Sequence, residues 1–160
     1  MKSREETQKP AGTTEPGEAK ARFTDEERRA MNERAKELQA EKRRGARATK
    51  CDGEEELLAK IAEMPESDRA IAERLHAIIK TTAPELCPKT WYGMPAYASE
   101  GNVVCFFQSS HKFKARYATL GFTDKANLDD GSRWPVAYAL RELTAADEGW
   151  VTTLLKKATH

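Results

Sequence analysis

Carboxylates are the groups with the most chemistry to offer in this chain. They gather at Asp52, Glu54, Glu55 and Glu56, and again at Asp124, Asp129 and Asp130. Oxygen clusters of this kind suit hard cations, including iron or magnesium in weak, open coordination. Glu54, Glu55 and Glu56, with Asp68 on the helix that follows, are the candidate metal ligands. The competing reading makes Glu54 to Glu56 the solvated first turn of a helix, where negative charge offsets the positive end of the dipole. Neither these acids nor His76, His111, His160 and the cysteines have the close paired spacing of a zinc or calcium loop.

Nucleophiles are fewer. Ser109-Ser110-His111 places a hydroxyl next to an imidazole, but neighbours along a strand point to opposite faces and do not make a triad. Cys87 precedes Pro88 with no base nearby in sequence. No catalytic residue is assigned, and the reading leans away from an enzyme. Cys51, Cys87 and Cys105 form an odd, sparse set without a CxxC pair, so reduced thiols are expected. Cys105, within the apolar run Val103 to Phe107, reads as a small buried hydrophobe.

The most unusual local sequence is Lys89-Thr90-Trp91-Tyr92-Gly93-Met94-Pro95-Ala96-Tyr97. Gly93 permits a positive φ, Pro95 fixes its own φ, and Met94 is biased extended by the proline after it. A rigid, turned segment that aims aromatic rings in fixed directions follows. Such segments either wall a pocket or close the end of a core. In the first case Tyr92, Met94 and Tyr97 bind a small ligand, with Lys114 and Arg116 supplying positive charge for an anion.

One basic patch stands out: Lys42, Arg43, Arg44, Arg47 and Lys50, with no acid after Glu41. Cations at a helix C-terminus offset its dipole, and Gly45 is a natural stop. The alternative is an arm that contacts nucleic acid phosphates or a protein partner.

These groups need elements to hold them. The chain has 160 residues, of which 39% are hydrophobic and 33% charged; that is enough for one domain, with part of the chain left outside it. Residues 1–22 contain no Leu, Ile, Val or aromatic residue and are expected to be a disordered tail. Thr24 and Glu27 form a capping box that opens a helix over about Asp25 to Arg44, and residues 23–53 read as a charged helical arm with a basic linker. Leu57, Leu58, Ile61 and Met64 give a short amphipathic helix that ends at Pro65. Ile71, Leu75, Ile78 and Ile79 give a longer one, capped by Ser67 and left at Pro84.

A strand over Val103 to Phe107 and a second over Phe113 to Leu120 form an antiparallel hairpin, with Phe113, Ala115, Tyr117 and Thr119 on one face and Lys114 and Arg116 on the other. A third strand is expected at Ala137 to Arg141. A last helix is capped by Thr144 and Asp147, and Trp150, Val151, Leu154 and Leu155 give it one apolar face. The fold class is therefore α+β, an antiparallel sheet packed by helices, with its domain at residues 54–160.

With 27 basic and 26 acidic residues the overall field draws the chain to neither nucleic acid nor membrane. No apolar run reaches membrane-spanning length and the N-terminus lacks the apolar core of a secretory signal, so a cytoplasmic protein with no membrane partner is expected.

The order of an apolar helix, a Pro-rich connection, Tyr92-Gly93-Met94-Pro95-Ala96-Tyr97, a glycine turn and the aromatic strand Val103 to Phe107 resembles the YdhG-like family of bacterial domains over residues 54–160. That resemblance implies a frataxin-like α+β fold. Some family members are described as iron chaperones that deliver iron for cluster or haem assembly, so iron or a small anionic ligand is the implied cargo of a non-catalytic binding module. A frataxin-type site is an acidic helical surface, and here the sequence departs: Arg69, Arg74 and Lys80 interrupt Asp68 and Glu73.

Overall fold

A computed structural model describes residues 22–45 and 51–160. The expected tail (all but its last residue, Arg22), Arg47 and Lys50 lie outside the described residues. Helix α1 spans Asp25–Arg44, α2 Glu54–Ala62, α3 Glu66–Thr82 and α4 Ala145–Thr159. Strands β1 (Cys87–Trp91), β2 (Met94–Ser99), β3 (Asn102–Gln108), β4 (Ala118–Phe122) and β5 (Ala137–Leu140) form one antiparallel sheet in the order β1-β2-β3-β4-β5. The architecture is α+β. Among the described residues no helix is long and apolar enough to cross a membrane.

The core lies between one face of this sheet and helices α2, α3 and α4. Tyr97, Cys105, Phe107, Leu120, Phe122 and Leu140 point from the strands toward Leu57, Ile61, Leu75, Ile79, Val151 and Leu155. Residues two apart on a strand share a face, so the other face carries Trp91, Met94, Ala96, Phe106 and Gly121. There the Phe106 ring occupies the space above Gly121 that a Cβ would need, and it lies 5.3 Å from Trp91.

Four expectations need correction. Cys51 and Cys87 are joined in a disulfide. Thirty-six residues separate them, but Gly53, at the start of α2, packs so close to β1 that a Cβ there would sit 2.7 Å from the Pro88 carbonyl oxygen. That approach sets the two Cα atoms 4.7 Å apart. Cys105 is the free, buried cysteine. Ser67 does not cap α3: the helix starts two residues earlier than such a cap implies, at Glu66, with Pro65 at the N-cap.

The segment after Lys112 is not a strand. His111 to Lys114 closes a turn in which the Lys114 N–H donates to the His111 carbonyl and Lys114 takes φ 50°. The strand starts only at Ala118, and Ala118, Leu120 and Phe122 face the core, not the expected odd-numbered set. Lys114 and Arg116 are therefore not paired on one strand face. Finally, the Pro-rich connection before Val103 is itself a hairpin, β1 and β2.

Candidate anion cradle beneath the arm

Helix α1 sorts its charges. Residues 26, 30, 33, 37 and 41 recur at spacings of three and four and so share one side of a helix; here they are Glu26, Ala30, Glu33, Glu37 and Glu41. Ala30 is buried against the domain. Lys114 pairs with Glu26, Lys112 with Glu33 at 2.6 Å, Lys60 with Glu33 at 3.4 Å, and Lys89 with Glu41 at 2.8 Å. Beyond them Arg44 pairs with Glu56.

Glu37 reaches no lysine. Its two carboxylate oxygens accept the backbone N–H groups of Tyr92 at 3.0 Å and Gly93 at 2.8 Å. This geometry follows from the turn: Tyr92 and Gly93 join β1 to β2 as a two-residue loop with φ of 53° and 72°, the positive values a tight hairpin turn of the primed type demands. Successive N–H groups in such a turn point the same way and form a concave anion receptor. A Cβ at position 93 would overlap the Glu33 carboxylate, so glycine also permits the arm's close approach.

Beside the turn a cleft of about 160 Å³ is lined by Glu33, Lys60, Gly93, Ser109, His111 and Lys112. Gly93 thus sits between two neighbouring contacts, the Tyr92 and Gly93 N–H groups on Glu37 and the Lys60 and Lys112 ammonium groups on Glu33, to each of which the arm brings one carboxylate. Arg34 lies 5.9 Å above the Tyr92 ring and 3.2 Å from Glu37, closing the cradle from the arm side. Pairing with Lys89 and Arg34 outweighs the effect of burial on Glu41 and lowers its pKa.

The residues singled out in the sequence do not gather into one pocket. Tyr92 belongs to the cradle through its backbone. Met94 is buried on the sheet face opposite to Tyr97. Tyr97 is 2% exposed and packs in the core, its hydroxyl against His76, so its ring walls no open pocket. Lys114 and Arg116 are exposed, the latter 5.4 Å from the Tyr117 ring.

Glu54 pairs with Lys80 and His76, which hold its carboxyl below the usual range. Asp68, about two turns away along α3, accepts from Ser109, Ser110 and the His111 N–H. Glu55 is exposed in the first turn of α2. Glu54, Glu55, Glu56 and Asp68 therefore do not converge, and among the described residues no group of three or more His, Cys, Asp or Glu is arranged to hold a metal ion. Lys42 and Arg43 are exposed at the end of the arm.

Sequence reasoning missed Lys60, Lys89 and Lys112, isolated lysines on three different elements. The available signal was on the arm: an acidic stripe at helical spacing needs cations opposite it. Compared with models of known families, with curated proteins and with solved structures, the chain finds no significant match in any of the three.

Proposed function

We propose that this chain is a non-catalytic binding module, of the YdhG-like kind its sequence resembles, that holds a small carboxylate or phosphate at the cradle of Tyr92, Gly93, Lys60 and Lys112. One observation carries the reading: two adjacent backbone N–H groups grip both oxygens of a single carboxylate, that of Glu37. Backbone donors fixed by a tight turn lose no rotamer freedom on binding and favour charged acceptors. The arm then acts as a tethered competitor whose carboxylates face an effective concentration on the order of millimolar. Iron is the less supported cargo, because Glu54 and Asp68 already spend their oxygens on Lys80, His76 and the Ser109–His111 segment.

The test is an amide-shift titration of the full chain with inorganic phosphate and with succinate, in wild type and in Glu37→Ala. The expected result is saturable movement of the Tyr92 and Gly93 signals at lower anion concentration in the variant. Signals in Glu37→Ala that stay still with both anions remove the reading.

A further inference from the structure

Docking engages Glu26, Glu33, Glu37 and Glu41, and beyond the first turn, where Asp25 and Glu27 stay exposed, the side of α1 left facing solvent is basic. Between residues 28 and 43 the exposed charged side chains are Arg28, Arg29, Lys36, Lys42, Arg43 and a single acid, Glu41, which is engaged by Lys89. Arg28, Arg29, Lys36, Lys42 and Arg43 form no ion pair among the described residues, though the charge of Arg29 is felt by Glu26. At 100° per residue these five cations fall on the half of the helix opposite to Ala30 and Glu37, with Asn32 and Gln39 between them. The row extends about 22 Å along the helix.

In an isolated helix of this composition, glutamates would neutralise their lysine and arginine neighbours one turn away. Here Lys60, Lys89, Lys112, Lys114 and the Tyr92–Gly93 turn draw those glutamates off. A chain of net charge +1 thereby displays a concentrated positive ridge on one side.

We infer that this ridge, Arg28, Arg29, Lys36, Lys42 and Arg43 on docked α1, binds the phosphate backbone of nucleic acid. The charge is complementary, the cations share one broad face of the helix, and the interleaved amides of Asn32 and Gln39 suit phosphate oxygens as well. A membrane surface fits less well, since interfacial helices bury a broad apolar face and α1 exposes only Met31 and Leu38, on one flank. The ridge lies on the side of the same helix opposite to the anion cradle, and its net charge depends on α1 staying docked through the contacts of that cradle.

The experiment is fluorescence anisotropy of the full chain against a labelled DNA strand of about 20 nucleotides and its duplex, over a salt series. Wild type is compared with the triple variant Arg29→Gln, Lys36→Gln, Arg43→Gln. Each neutralised phosphate contributes roughly 0.9 to the log–log salt slope on duplex. The variant should therefore bind at least about tenfold more weakly at low salt, with a slope shallower by about two to three. Its melting curve should match wild type, because the three side chains are exposed. The inference is overturned by a wild type that binds neither DNA, by a variant with the wild-type slope, or by a wild type that prefers phosphatidylserine vesicles or poly-glutamate to DNA.

Discussion

The hydroxyl of Tyr97 lies 2.9 Å from Nδ1 of His76, and Nε2 of the same ring lies 3.0 Å from Glu54. The one imidazole thus ties β2 to the start of α2 through α3, with the phenol on one ring nitrogen and the carboxylate on the other. Burial pushes the Tyr97 phenol well above its usual value, which keeps it protonated as a donor.

Tyr97→Phe keeps the ring and removes this one bond. It should cost about 1 kcal/mol, the usual net worth of such a hydrogen bond, while Tyr97→Ala should cost about 3–5 kcal/mol through the cavity it leaves. Urea unfolding with an unchanged m-value checks both. A Phe variant as stable as wild type would mean that the His76 contact contributes nothing.

The disulfide makes a second prediction. Closing a loop of 36 residues stabilises a fold by roughly 4 kcal/mol in the chain-entropy model. Adding dithiothreitol, or substituting Cys51→Ser, should lower stability by about 2–4 kcal/mol. Iodoacetamide should label Cys51 and Cys87 only after reduction. Cys105 should stay unlabelled until the chain unfolds, because burial raises its thiol pKa to about 12. Two accessible thiols in the untreated, air-exposed protein would contradict the bond.

Where local signals mark both ends of an element, the residues alone are sufficient to place it. Thr24 with Glu27 opens α1 and Gly45 closes it, and the helix runs from Asp25 to Arg44 as the sequence indicates; Thr144 with Asp147 opens α4 in the same way. Strands β1 and β2 escape notice because Pro88 and Pro95 argue against a ladder, and because β2, buried on both faces, shows no alternation. A left-handed Lys114 delays β4 by several residues, which no composition rule anticipates. The cradle is hidden for a different reason. Its donors are backbone groups of Tyr92 and Gly93, common to every residue type, and its lysines meet only after α1, α2 and the sheet have packed.

Asp68 makes a prediction about acid stability. Its carboxylate, 4% exposed, accepts from Ser109 at 2.6 Å, from Ser110 at 2.8 Å and from the His111 N–H at 3.1 Å, fastening the end of β3 to the first turn of α3. Burial by itself would raise its pKa, but the hydrogen bonds from Ser109, the His111 backbone and Ser110 outweigh it and the net shift is downward from 3.8. A carboxyl that ionises more readily in the folded state stabilises the fold above its unfolded pKa. That contribution is lost as the pH falls through the lowered folded value. Wild type should accordingly hold its stability above about pH 5 and lose it progressively below 3.8. Asp68→Asn, which removes the charge but keeps the shape, should cost about 2 kcal/mol at pH 7, in the range for hydrogen bonds to a charged group. The gap between the two proteins should stay level from pH 7 to about pH 5 and narrow below 3.8, read as urea midpoints down to about pH 3. A constant gap across that range would show that the charge of Asp68 contributes nothing beyond its shape.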